Sequence, residues 1–140
     1  MNAQWVNFKI AGEDYCLTVD DIQEILNYEA PTPVPGAVPE VNGILNVRGE
    51  IVTVLSGRTL LDLESKEPDG SWRIITMQSQ GVYYGLIVDA VNEMIEINMD
   101  KLENAPNTGS ATTSELIMGT YHHKDRLIIA LDLTKYVEYS

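Results

Sequence analysis

The stretch that decides the fold is Gly43-Ile-Leu-Asn-Val-Arg-Gly-Glu-Ile-Val-Thr-Val-Leu55, in which two apolar runs flank Arg48-Gly49-Glu50. This pattern predicts a β-hairpin with a tight turn, because glycine adopts positive φ without steric cost. Side chains alternate between the two faces of a strand, so we expect Leu45 and Val47 to face a core while Asn46 points outward. The turn would then present the Arg48 guanidinium, a planar fork that suits a carboxylate on a partner. A solvated turn charge is the alternative interpretation.

Two segments of the chain recur in the same order. Residues 119–137 align without a gap on residues 43–61, which places Lys124 on Arg48. Residues 12–24 align on residues 81–93 and share the frame G-x-x-Y-x-L-x-V-D-x-[IV]-x-E. Such internal similarity predicts two related halves, at roughly 5–68 and 69–140, within one domain spanning 1–140. Exchange of strands between the halves is left open.

Composition limits the classes of partner. The chain has 140 residues and a formal net charge of −12, from 21 acidic and 9 basic side chains. This balance argues against a nucleic-acid surface or direct membrane binding, which both need a positive footprint, and it is compatible with a basic partner. We find no signal peptide and no apolar run near the roughly 20 residues of a membrane span. Cys16 is the only cysteine, which is compatible with a reducing cytosol, and its apolar setting predicts a small buried side chain.

Many short apolar runs at close spacing predict a mainly all-β chain of small barrels with short helical turns. Residues 21–26 allow either a short helix, capped by Asp20, or the start of an irregular strand. Four of the six prolines fall within residues 31–39, which predicts a stiff, extended crossing. We expect one helical turn at 58–61, a mobile loop at 102–114 and a last helical turn at 133–137.

No catalytic constellation emerges from the sequence. The phosphate-binding, dinucleotide-binding, zinc-protease and nucleophile-elbow motifs are all missing. His122 and His123 are adjacent, so on a strand they point to opposite faces and do not readily share a metal. We therefore expect no catalytic residue, no metal site and no cofactor, and hence no enzyme. A small hydrolase or metal protein built on the two histidines is the contrary hypothesis.

Taken together, these residues resemble the CheW-like adaptor family of bacterial chemotaxis. The hallmark is the run from Asn42 to Val52, which is similar to the family's Gly-x-x-Asn-Leu-Arg-Gly followed by an apolar strand. Ile22-Gln23-Glu24-Ile25 and Val88-Asp89-Ala90-Val91 resemble two further elements of the family, and Gly119 with Asp125-Arg126 resembles a late one. The order and spacing of these motifs cover residues 5 to 137.

The resemblance implies both a fold and a role. The fold would be two five-stranded SH3-like β-barrels packed together. The role would be that of a non-enzymatic cytoplasmic adaptor, coupling the signalling tip of a chemoreceptor to the regulatory domain of a histidine kinase. The alternative is a diverged scaffold of another kinase array, serving surface motility or gene regulation.

The resemblance also implies a set of partner-binding residues. Arg48 matches the family's arginine implicated in receptor contact, and four others match positions around its partner-binding surfaces. The set comprises Ile22, Glu24, Gly43, Arg48, Gly49, Val91 and Met94.

One short segment departs from the family pattern. Ser56-Gly57 stands where the family has Asp-Leu before Arg58. We expect the change to remove a helix cap, to reduce the core area and to loosen the chain after the hairpin. This expectation motivates the alternative of a divergent partner.

Overall fold

The computed structural model describes residues 2–104 and 116–133, and its strands follow the short apolar runs of the sequence. The strands in these residues are β1 (Asn2–Ile10), β2 (Glu13–Thr18), β3 (Glu24–Asn27), β4 (Val41–Val47), β5 (Glu50–Ser56), β6 (Arg73–Ser79), β7 (Val82–Val88), β8 (Ala90–Asn98), β9 (Ile117–His123) and β10 (Arg126–Leu131). Helix α1 (Gly57–Leu60) and 3-10 turns at Val19–Asp21 and Met99–Lys101 are short. The expectation of a mainly β fold with short helical turns is confirmed.

The strands form two five-stranded sheets. Sheet A has the order β8-β1-β2-β10-β9, and sheet B has the order β3-β6-β7-β5-β4. Within each sheet one pair is parallel, β2 with β10 and β5 with β7, while the other pairs are antiparallel. Sheet A therefore combines strands from both ends of the described chain, β1 and β2 with β8 to β10, whereas sheet B consists of the consecutive strands β3 to β7.

The internal repeat of the sequence reappears in the strand registers. In sheet B, Glu24 lies opposite Thr76, and in sheet A the aligned residue Glu93 lies opposite Asn7. The parallel pairs agree in the same way, because Val52 lies opposite Tyr83 in sheet B and Ile128 lies opposite Asp14 in sheet A. The two sheets thus share the same register at these positions, although β3 is shorter than its counterpart β8.

The sheets are open, which corrects the expectation of closed barrels. The physical reason is that connecting segments occupy the strand edges that would close them. Thr32 exchanges two backbone hydrogen bonds of 2.9 Å with Ile44 on the outer edge of β4. Glu103 does the same with Thr120 on the outer edge of β9, at 2.9 and 2.8 Å. Among the described strands, β3 and β4 are therefore not paired with each other, and neither are β8 and β9.

Apolar side chains cover both faces of each sheet. The largest cluster lies between the sheets and includes Phe8 and Leu17 from sheet A with Leu55 and Leu86 from sheet B. A second cluster, around Trp5, belongs to sheet A, and a third, which comprises Leu45, Val52, Val54, Trp72, Ile74 and Ile87, belongs to sheet B. Burial of both faces explains why β5 and β7 read as almost continuous apolar runs instead of strict alternation.

Local predictions have mixed outcomes. The helix expected at 21–26 is wrong and the strand alternative is correct, because Glu24–Asn27 pairs with β6. The helical turn expected at 58–61 is confirmed by α1. The loop expected at 102–114 and the turn expected at 133–137 lie largely outside the described residues.

Candidate partner-binding site

The hairpin between β4 and β5 ends in a two-residue turn with an unusual first residue. Arg48 has φ of 50° and Gly49 has φ of 85°, so both occupy the left-handed region that the favoured hairpin turns require. The Asn46 side chain accepts a hydrogen bond of 3.0 Å from the Gly49 amide and holds the turn closed. A side chain in this region costs roughly 1–2 kcal/mol, which asparagine or glycine largely avoids. Arg48 therefore sits in a conformation that its own residue type does not favour.

Beside this turn the structure places a pocket of about 300 Å³, which we call the sheet B mouth. It is lined by Gln23, Glu24, Val47, Arg48, Glu50, Val52, Thr76 and Tyr83, which come from all five strands of sheet B and their flanks. The Arg48 guanidinium donates to the Glu24 carboxylate, so an ion pair spans the gap between β3 and the β4–β5 hairpin. The two side chains therefore bridge edges of the sheet that backbone hydrogen bonds do not join.

The sheet B mouth carries more negative than positive charge. Its lining includes the carboxylates of Glu24 and Glu50 and the single guanidinium of Arg48. The Thr76 hydroxyl is already committed, since its oxygen lies 3.1 Å from both the amide nitrogen and the carbonyl oxygen of Glu24. These two bonds fix the backbone of Glu24, while the Arg48 side chain stays 72% exposed. The rim thus combines a carboxylate on a fixed backbone with a guanidinium that is largely exposed.

Sheet A has an internal cation at the corresponding place. The Arg126 guanidinium donates to Asn7 Oδ1 at 3.2 Å, to Asp14 Oδ1 at 3.4 Å and to Glu93 Oε1 at 2.8 Å. Asn7 is fully buried and also donates to the carbonyl of Tyr15 at 2.9 Å. The sequence analysis did not predict this network, although the alignment of Glu93 with Glu24 was a feature of the sequence that pointed to it.

The sequence-predicted site residues fall into separate groups. Glu24 and Arg48 line the sheet B mouth, and Gly49 follows Arg48 in the adjoining turn without being part of the lining. A second group lies elsewhere: Ile22 and Val91 are half-buried against the cluster between the sheets, and Met94 is 59% exposed on β8.

Gly43 has a packing role that the sequence did not reveal. A Cβ at this position would lie 2.3 Å from the carbonyl oxygen of Thr32. Glycine therefore lets Thr32 close over β4, and Gly43 lies outside the lining of the mouth.

The departure at Ser56-Gly57 keeps the structure that we expected it to lose. The Ser56 hydroxyl accepts a hydrogen bond of 3.3 Å from the Thr59 amide, so α1 is capped. Gly57 is buried, and a Cβ there would lie 2.4 Å from the carbonyl oxygen of Ile87. The expectations of a missing cap and a looser segment are wrong, because serine caps as well as aspartate does and the chain packs too closely for leucine.

The histidines and the cysteine give no sign of a reactive centre. His122 Nε2 lies 3.9 Å from Glu103, and His123 Nε2 lies 3.9 Å from Glu93. Within residues 2–104 and 116–133, no group of three or more His, Cys, Asp or Glu residues is arranged to hold a metal ion. Cys16 is buried, and burial raises the pKa of its thiol to about 12. No helix in the described part of the chain is long and apolar enough to span a membrane.

Comparison with known proteins agrees with this architecture. Residues 4–139 match the CheW-like domain. The chain is 30% identical to the chemotaxis protein CheW of Bacillus subtilis over 125 residues, which cover 89% of this chain and 80% of that one. It is 28% identical to the CheW of Thermotoga maritima over 133 residues, covering 95% and 86% of the two chains. The crystal structure of the scaffolding protein TtCheW from Thermoanaerobacter tengcongensis superposes with a TM-score of 0.85 at 30% identity, covering 95% of this chain and 86% of that one. This chain belongs to the CheW-like domain family.

Proposed function

We propose that this protein is a cytoplasmic, non-enzymatic scaffold of chemotaxis that couples the signalling tip of a chemoreceptor to the regulatory domain of a histidine kinase. Similarity to chemotaxis CheW proteins and to a crystallised scaffolding protein supports the adaptor role. Ser56 and Gly57 no longer motivate a divergent partner, because the segment they form is capped and tightly packed.

The observation that carries the proposal is the state of Arg48. Its backbone is held in the left-handed region although Gly, Asn or Asp would fit there at lower cost. The same conformation recurs at Ala11, Gln80 and Lys124 in the other hairpin turns, so it belongs to the turn type, and what distinguishes Arg48 is the guanidinium that this turn carries. The turn presents the guanidinium at the tip of the β4–β5 hairpin, where it is 72% exposed and can donate a bidentate pair to a carboxylate on the receptor.

The kinase domain would use a different surface. Met94 lies on β8, the edge strand of sheet A, whereas the Arg48 turn belongs to sheet B. An exposed methionine offers an adaptable apolar contact to a second partner. Two partners docked on different sheets would be held at a fixed distance by the cluster between the sheets, which is what a scaffold requires.

The test measures binding of the purified protein to a cognate receptor-tip fragment and, separately, to a cognate kinase regulatory domain. We expect Arg48→Glu to weaken receptor binding about tenfold or more and to leave kinase binding unchanged. Lys124→Glu is the matched control, because Lys124 holds the same place in the β9–β10 turn with φ of 49°. Met94→Glu should show the reverse selectivity. If the wild type binds neither partner at low salt, the proposed function is wrong.

A further inference from the structure

The two sheets differ most sharply in the cation at their open ends. Under the alignment of the strand registers, the residues Glu24, Thr76, Tyr83 and Glu50 of sheet B correspond to Glu93, Asn7, Asp14 and Arg126 of sheet A. In sheet A, Arg126 starts β10 and reaches inward to three acceptors. In sheet B, the corresponding first residue of β5 is Glu50, which is exposed.

The presence of Glu50 in sheet B where sheet A has Arg126 reverses the charge at one position of the repeat. Sheet A supplies its own guanidinium to the Glu93 carboxylate, whereas sheet B has the Glu50 carboxylate at the position of that guanidinium, in the same pocket lining as Glu24. Arg48 compensates only in part, because it comes from the turn, leaves a pocket of about 300 Å³ next to it and stays largely exposed. The sheet B mouth therefore has a surplus carboxylate and the space that the Arg126 side chain takes in sheet A.

We propose that the sheet B mouth receives an arginine side chain from the receptor tip, which takes the place that Arg126 fills in sheet A. The inference rests on the proposed function, since it names the chemistry of the receptor side chain. As Arg48 turns to a receptor carboxylate, the incoming guanidinium replaces it at Glu24 and adds Glu50 as a second acceptor. Arg48 leaves Glu24 for the receptor carboxylate as the receptor arginine arrives at Glu24, so both of these carboxylates keep a cation.

The geometry of sheet A explains why the incoming group is arginine. Arg126 uses two different nitrogens for acceptors on different strands, with NH1 on Asn7 and Asp14 and NH2 on Glu93. A planar guanidinium can span separated acceptors in this way, whereas a lysine ammonium is a single compact donor group. Glu24 and Glu50 both line the mouth and are likewise on separate strands, β3 and β5, with β6 and β7 between them.

The first experiment introduces an arginine of this protein into the sheet B mouth. Glu50→Arg introduces into sheet B the residue that closes sheet A, and we expect receptor-tip binding to weaken at least about tenfold. Glu50→Gln removes the charge without filling the pocket, so its loss should be clearly smaller. Circular dichroism should show that both variants keep the wild-type fold. If Glu50→Arg binds the receptor tip with wild-type affinity, the proposal that the sheet B mouth receives a receptor arginine is overturned, while the adaptor role is not.

The second experiment needs no receptor and no variant. N-acetyl-arginine amide is titrated into the isotope-labelled wild-type protein, with the citrulline compound as a neutral match of nearly the same shape. We expect amide shifts at Glu24, Thr76 and Tyr83 with the arginine compound alone. Equal shifts with both compounds, or none with either, would overturn the proposal. If the receptor tip fails to bind the wild type, the adaptor role falls, and this titration still decides whether the mouth accepts a guanidinium.

Discussion

Gly57 offers the sharpest test of the packing, because two physical effects predict opposite outcomes for Gly57→Ala. The residue begins helix α1, where alanine is favoured over glycine by up to about 1 kcal/mol. It is also buried against β7, and a Cβ would lie 2.4 Å from the Ile87 carbonyl oxygen and 2.7 Å from Ile10 Cδ1. The outcome decides which effect controls this segment.

The contact with Ile87 is the larger of the two effects. Its carbonyl belongs to the backbone of β7, a central strand paired on both sides, so it cannot move aside as a side-chain tip would. Overpacking of this kind costs about 1–3 kcal/mol, and a Cβ forced against backbone belongs in the upper part of that range. After subtraction of the helix preference, we expect Gly57→Ala to lower the free energy of unfolding by about 1–2 kcal/mol. For a domain of this size that corresponds to a fall in Tm of roughly 3–7 °C.

Thermal and urea unfolding followed by circular dichroism measure this change. Gly70→Ala is the matched control, because a Cβ at Gly70 meets nothing within 4 Å and its φ is not positive. That variant should be neutral or stabilised by up to about 1 kcal/mol, through the lower entropy of the unfolded chain. A Gly57→Ala protein as stable as Gly70→Ala would refute the close approach of α1 to β7.

Two further predictions concern buried groups. Because burial raises the pKa of Cys16 to about 12, the thiolate is scarce at pH 8, and a thiol reagent should react on the order of 1,000-fold more slowly in the native protein than in denaturant; equal rates would contradict this. Arg126→Ala removes one donor from the buried Asn7 and Asp14, which keep Asn92 at 3.2 Å and Lys9 at 4.0 Å, and should lower the free energy of unfolding by about 1–3 kcal/mol in urea titrations. Arg48→Ala, which removes an exposed ion pair, should cost at most about 1 kcal/mol, and equal costs for the two variants would be inconsistent with the difference between the sheets.

Local patterns were sufficient to predict the hairpins. The run around Arg48 and the aligned run around Lys124 each contain a tight turn between apolar strands, and both turns have nearly the same φ at the first residue. Such features depend on residues close in sequence, where alternation and turn chemistry act directly. The same holds for the helical turn after Ser56, whose cap is set within three residues.

Pairing between strands distant in sequence could not be predicted from local patterns. Nothing local to β2 indicates that it lies parallel to β10, so Asp14 could not be placed beside Arg126. For the same reason Thr76 and Tyr83 were missed as lining residues of the sheet B mouth, although Glu24 and Arg48 were selected. The open barrels were missed because closure depends on the edge bonds of connecting segments, which carry no distinctive pattern.

A scaffold also needs its two sheets to move as one body, and the junction between them meets this need with polar contacts as well as apolar ones. Asp89 lies between β7 of sheet B and β8 of sheet A, and its Oδ2 accepts from Arg58 NH2 at 2.5 Å and from the Ala11 amide at 3.0 Å. Arg58 belongs to α1, which packs on sheet B, whereas Ala11 forms the β1–β2 turn of sheet A. Both contacts are directional, and the Arg58–Asp89 pair is also partly buried, so they define the angle between the sheets more closely than the apolar cluster alone. A receptor bound at the sheet B mouth and a kinase bound on β8 would then be related by one fixed geometry, because Asp89 immediately precedes the strand that carries Met94.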